Sequence, residues 1–259
     1  MWLRTVRLMG MRRFHNQATR LLVSCQQARD FLYRCAIIEQ HFYLRGGPIA
    51  KLPQAFYEQP TLELARALLG KTVLHATPEG LCGGVIVETE GYISAIDPAA
   101  HGYRRPTPRT RIMYGPPGYA YIYFSYGMHN MLNISTEPEG VGAAVLIRAI
   151  QPTIGLDLIR RRRGQAMPPR DLARGPGRVC AALGLSLAEN GTALTGETLW
   201  LDDTPGLPAD AVIATSPRIG ITRGTELDWR WYLAGSPYVS GNKNGLFRQE
   251  HITQQSMVR

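Results

Sequence analysis

A chain of 259 residues that is 44% hydrophobic and 19% charged has material for one sizeable core, or one core plus a tail. Its formal net charge of +9 points toward nucleic acid or another anionic surface and says nothing about fold. No apolar run reaches the ~20 residues that a membrane span needs. The four cysteines, Cys25, Cys35, Cys82 and Cys180, form no close pair and no zinc spacing, so they read as reduced thiols. Scattered histidines, without HExxH or a His-x-Glu…Cys-x-x-Cys set, argue against a zinc protease or a zinc deaminase.

The basic excess is uneven. Residues 1–50 carry eight Arg and no Lys against Asp30 and Glu39, whereas the remainder is only mildly basic. This Arg-rich start has the composition of an organelle-targeting segment, and also that of a poorly ordered extension or of a start codon assigned too early. Helical spacing runs through residues 16–44 until Gly46, Gly47 and Pro48 break it. The main domain is expected over residues 52–241, followed by a polar tail over 242–259.

In chain order, Pro60 and Thr61 open a helix with Leu62, Ala65, Leu68 and Leu69 on its apolar face, stopped by Gly70. Strands are predicted at Thr72–His75 and Gly84–Thr89. The stretch from Ser94 to Pro117 is rich in Arg, Pro and Gly, and a loop of that length is a functional candidate. Tyr119–Phe124 alternates, with Tyr119, Tyr121 and Tyr123 on one side. Met131–Thr136 and Ala143–Ile150 read as strands, 153–163 and 176–184 as helices, and Leu199–Asp202, Ala211–Ala214 and Arg230–Ala234 as short strands. Strands follow one another without helical crossovers, so an α+β fold is expected: a single domain with a mainly antiparallel β-sheet flanked by helices and long loops.

Val87-Glu88-Thr89-Glu90-Gly91-Tyr92 runs an apolar strand into two carboxylates. Strand alternation sets Glu88 and Glu90 on one face. A carboxylate there can hold and activate a water as general base, or can simply be solvated. Tyr92, His101 and Tyr123 offer flat faces that suit stacking on a base, or ordinary core packing. Tyr126, next to Gly127, sits at the tip of a strand reversal, where a ring either folds back or wedges into a base stack.

The segments VETEGY, DPAAH, TPRTRIMYGPPGYAYIYFSYGMHNMLNIS, AAVLIRAIQP, ARGPGRVCAAL and GSPYVSG, in this order from about Leu62 to Ser240, resemble the alkyladenine (3-methyladenine) DNA glycosylases of the mammalian methylpurine type. The resemblance implies an enzyme that flips alkylated or deaminated purines out of duplex DNA and hydrolyses them from their sugars. It implies Glu90 as the general base, with Arg148 beside it. Tyr92, His101, Tyr123 and Asn133 would form the base pocket, and Tyr126 would fill the gap left in the duplex. Arg105, Thr107, Arg109, Met113, Gly127, Met128 and Arg178 fall in segments that would border the DNA backbone. Relative to the mammalian pattern, two extra residues lie between Asn133 and Arg148, assigned to Glu137–Gly142; His129 stands where some relatives carry an aromatic. No metal or organic cofactor is expected. The partner is double-stranded DNA carrying damaged purines, with no membrane, and the protein is expected to act as a monomer. The compartment would be the cytoplasm in a bacterium, or the nucleus or an organelle in a eukaryote. A non-catalytic damage-binding protein on the same scaffold is the alternative. Lyase chemistry is disfavoured, because it needs an amine nucleophile and Lys51, Lys71 and Lys243 all lie outside the matching segments.

Overall fold

In the computed structural model, the described residues are 51–241, apart from Arg104, Tyr126, Thr204, Pro205, Gly206 and Pro208. The readings for 1–50, for the 242–259 tail and for Tyr126 therefore lie outside the described residues.

Two short helices open this region, α1 (Gln54–Tyr57) and α2 (Thr61–Ala67). The α2 residues Leu64 and Ala65, and Leu68 just after it, are fully buried. Pro60 precedes α2 and gives no side-chain cap. Glu137, far along the chain, takes that role: its Oε1 accepts from the Thr61 N–H at 2.7 Å and from the Thr61 hydroxyl at 2.6 Å. A carboxylate at a helix start also meets the positive end of the helix dipole. The 137–142 loop, assigned to an insertion, thus pins a helix to the sheet. Glu137 adopts a left-handed backbone, with φ of 64°, to do so.

The sheet is antiparallel in every pairing between strands. Its strands are β1 (Thr72–Thr77), β2 (Gly80–Ile93), β3 (Ala120–Ser125), β4 (His129–Ser135), β5 (Ala143–Ile154), β6 (Leu199–Asp202), β7 (Ile213–Ser216) and β8 (Arg230–Leu233). The order is β3-β4-β5-β2-β1-β6, and β8, carrying β7, pairs with the far half of β2. So the 14-residue β2 meets β5 on one edge, and first β1, then β8, on the other. The expected α+β architecture is the observed one.

Alternation divides the sheet into two faces. Ile86, Ile122, Ile134, Val145 and Ile147 join Leu64, helix α3 (Leu156–Arg163) through Ile159, and helix α4 (Pro176–Leu183) through Val179 in the main core. Tyr121 and Ala144 pack instead with Met113, Tyr114 and Tyr123. The alternation read for Tyr119–Phe124 therefore holds.

Most element boundaries shift by one to four residues from expectation, and three shifts are the most informative. Strand β2 continues past Thr89 to Ile93, so Glu90 lies inside a strand rather than at its end. Strand β5 continues through Pro152 to Ile154, and the helix expected from 153 starts at Leu156 after Gly155, whose φ is 65°. The strand expected at Ala211–Ala214 lies at Ile213–Ser216. Within the long loop, Pro108–Tyr114 forms a 3-10 helix, capped reciprocally by Thr107 and Thr110. Among the described residues, no helix is long and apolar enough to cross a membrane.

Candidate active site

The site grows from two irregularities in the β2–β5 pairing. Ile86 faces Ile150, Glu88 faces Ala149 and Thr89 faces Ile147, so the register skips Val87 on one strand and Arg148 on the other. A bulge adds one residue to a face and redirects a side chain. Ile86, Ile147 and Ile150 stay in the main core. Val87 and Ala149 pack together away from it, and Arg148 turns to meet Glu88 and Glu90. The two carboxylates do share a face, while Thr89 points to α2 and donates to the Ala65 carbonyl at 2.7 Å.

Glu90 is fully buried. Its Oε2 accepts from the Tyr92 hydroxyl at 2.8 Å and from Arg148 Nη1 at 3.2 Å, and its Oε1 accepts from the Ile219 N–H at 2.8 Å. Arg148 Nη1 also donates to the Ile219 carbonyl at 3.4 Å. Burial first, then the neighbouring Glu90 charge, push the Tyr92 phenol well above its ordinary range. It therefore stays a hydrogen-bond donor to the carboxylate.

In front of this group lies a cavity of about 650 Å³ whose lining includes Tyr92, His101, Tyr121, Tyr123, Asn133 and Arg148. The structure thus gathers the predicted Tyr92, His101, Tyr123, Asn133 and Arg148 around one space, with Glu90 bonded to two of them. The ring centroids of His101 and Tyr123 are 4.3 Å apart at 76°, an edge-on arrangement. The Tyr121 hydroxyl lies 3.3 Å from His101 Nδ1. Burial, then the Arg109 guanidinium, push the His101 imidazole below its ordinary value. Burial pushes the Tyr121 phenol up to about 12. The walls are therefore uncharged aromatics at neutral pH. Asn133 Nδ2 donates to the carbonyls of Tyr121 at 3.1 Å and Met131 at 3.3 Å, which fixes its amide at the wall.

The residues expected along the DNA backbone separate into two groups. Arg105, Thr107, Gly127, Met128 and Arg178 are exposed. Thr107 also caps the 3-10 helix, and Arg178 pairs with Asp171 at 3.4 Å. Met113 is different: its side chain is buried against Tyr121 and Ala144 and lines the cavity. Arg109, though exposed, lies 5.1 Å over the Tyr123 ring and donates to the Phe124 carbonyl at 3.3 Å. His129 reaches the start of α4, where a Cβ on Gly177 would come within 2.8 Å of its ring.

Sequence reasoning missed the loop from Arg218 to Gly224. Ile219 acts through its backbone, which no residue type announces. Arg218 pairs with Asp97, both side chains fully buried, and stacks 4.6 Å over Tyr92. It also donates to the Gly91 carbonyl at 3.0 Å. An Arg as the lone charge in the Ile213–Ile221 stretch was the available signal. Ser240, inside the quoted GSPYVSG segment, and Arg230 were also passed over. Both contact Glu88.

Residues 55–237 match the family model described as methylpurine-DNA glycosylase. This match, over more than half of the chain, defines a DNA-repair glycosylase. A Chlorobaculum parvum protein is 48% identical over 75% of this chain and 93% of its own length. A Burkholderia lata protein is 46% identical over 75% and 93%, and one from Methanoculleus marisnigri is 45% identical over 73% and 98%. Each bears the name "Putative 3-methyladenine DNA glycosylase". The chain belongs to the methylpurine-DNA glycosylase family.

Proposed function

We propose that this protein hydrolyses the N-glycosidic bond of alkylated and deaminated purines in duplex DNA, 3-methyladenine, 7-methylguanine, hypoxanthine and ethenoadenine among them, leaving an abasic site. The observation that carries the reading is the buried Glu90 carboxylate, hydrogen-bonded to three residues that line an aromatic cavity. A carboxylate offers about four lone-pair positions. Tyr92, Arg148 and the Ile219 N–H occupy three. The one remaining suits a water, which Glu90 activates as general base against the sugar's anomeric carbon. Arg148 orients the carboxylate and its charge favours the adjoining sugar-phosphate.

Extruding a purine costs a few kcal/mol, less when damage weakens its pairing. Stacking on Tyr92, His101 and Tyr123 offsets that at ~1–3 kcal/mol per base. Tyr126 fills the vacated space in the duplex. Asn133 reads the purine edge, selecting against the exocyclic amino group of guanine. Arg105, Thr107, Arg109, Gly127, Met128 and Arg178 border the DNA backbone, with Arg109 also bracing the Tyr123 ring. The glycosylase domain is taken as residues 52–241, acting as a monomer on its asymmetric substrate.

The alternative of a damage-binding protein without activity is disfavoured, because an anion near phosphates gains a pure binder nothing. The testing experiment incubates the purified chain with duplexes carrying each lesion and assays for abasic sites. Base release from at least one damaged purine is expected. Tight binding to every lesion without release would overturn the reading in favour of the binder.

A further inference from the structure

Behind Glu90 lies a second carboxylate that the proposed chemistry does not use. Glu88 is fully buried, and it is crowded with donors. Its Oε1 accepts from Arg148 Nε at 3.2 Å, Arg230 Nε at 2.6 Å and the Ser240 hydroxyl at 2.9 Å, and its Oε2 accepts from the Ser240 N–H at 2.6 Å. Ser240 spends every polar atom here. Its Oγ also accepts from Arg148 Nη2 at 3.3 Å, and its carbonyl accepts from Arg230 Nη2 at 2.8 Å. Arg148 is thereby gripped at Nε and Nη2 from behind, leaving Nη1 for Glu90 and the Ile219 carbonyl.

We infer that Glu88, Arg230 and Ser240 are positioning residues for the reaction: they aim Arg148, and through it Glu90, without touching the substrate. The inference rests on the proposed role of Glu90. Three features support it. First, Arg148 sits on a bulge, where the strand itself does not define its direction. Second, a guanidinium is a rigid planar fork, so holding two of its nitrogens sets the third. Third, two carboxylates face two arginines, and this balance sets the field at Glu90. The other groups around Glu90 are Tyr92 on its own strand, Tyr123 on β3, and the Arg218–Asp97 pair behind the Tyr92 ring.

The test is single-turnover base release from a duplex carrying 7-methylguanine, run beside equilibrium binding to the same duplex. Ser240→Ala removes only the hydroxyl. It is expected to slow release about tenfold, as expected for misplaced catalytic groups, and to leave binding within about twofold. Ser240→Thr restores the hydroxyl and is expected to recover most of the rate. Glu88→Gln keeps the shape but withdraws the charge that holds Arg148 and Arg230, and is expected to slow release at least as much as Ser240→Ala while leaving binding within about twofold. Should Glu88→Gln fail to fold, the Ser240 pair decides alone. Parental release by Ser240→Ala, or a loss that Ser240→Thr does not recover, overturns the inference, as does parental release by folded Glu88→Gln. Glu90→Gln, run in parallel, separates the two layers. If it is inactive while Ser240→Ala is unimpaired, only this inference fails; if it releases base at the parental rate, the role of Glu90 itself falls.

Discussion

Arg218 and Asp97 meet with both side chains sealed from solvent, and each comes from a different lip of the cavity. Asp97 lies four residues before His101, and Arg218 directly precedes Ile219, whose N–H holds Glu90. The pair therefore ties the loop bearing an aromatic wall to the loop bearing a donor to the carboxylate. Arg218 also reaches the carbonyls of Gly91 at 3.0 Å and Gly224 at 3.3 Å, and its guanidinium stacks on Tyr92 and Trp229.

Asp97→Asn would leave the Arg218 charge buried without its partner. Breaking a buried ion pair from one side costs about 3–5 kcal/mol. Denaturant unfolding is expected to show a loss of that size. A change below about 1 kcal/mol, the range of an exposed pair, would contradict the sealed geometry.

The His75 imidazole is buried, with its Nδ1 2.8 Å from the Leu183 carbonyl, and burial is the largest cause that lowers it from the ordinary 6.5. Its unfolded form binds protons more readily than the folded one. Its contribution is thus complete above about pH 6.5 and is lost as pH falls below it. Urea unfolding on either side of this value is expected to give lower stability on the acid side, and a smaller drop in His75→Gln. An unchanged drop in that variant would remove His75 from the account.

The lesions themselves separate by charge. An N3- or N7-alkylated purine is a cation that departs as a neutral base, whereas hypoxanthine is neutral and leaves more readily when protonated. Release of hypoxanthine is expected to fall at high pH, and release of 7-methylguanine to lack that fall. Superimposable single-turnover pH profiles would rule this out.

Among the described residues, no lysine lines the cavity. Lys51 bonds Glu197 at 2.6 Å and lies over Trp200, while Lys71 pairs with Asp203 and lies over Phe56. Intact abasic DNA is the expected product, and borohydride is expected to trap no Schiff base. A trapped adduct would reveal a nucleophile outside this scheme.

Much of the pocket was legible because side-chain chemistry carried it. The alternation of Tyr119–Phe124 placed Tyr121 and Tyr123 on one face, and the acidic pair after Val87 marked Glu88 and Glu90. What escaped was geometry with no residue signature. The bulges at Val87 and Arg148 are pairing events between two strands, so neither strand announces them alone. Ile219 contributes a backbone N–H, which every residue but proline has. Helix α3 starts three residues later than its spacing suggests, because strand β5 runs on through Thr153 and Ile154 until Gly155 ends it. Met113 lies in a segment expected to border the DNA backbone, and its position on the 3-10 helix, with its side chain lining the cavity, is likewise not announced by residue type.

The central claim is that Glu90 primes the attacking water, and Glu90→Gln tests it most directly. Single-turnover base release is measured beside binding to the same lesion duplex. Losing a general base costs about 10²- to 10⁴-fold, so release should fall by at least about a hundredfold while binding persists. Release at the parental rate from a folded, DNA-binding Glu90→Gln variant would contradict it.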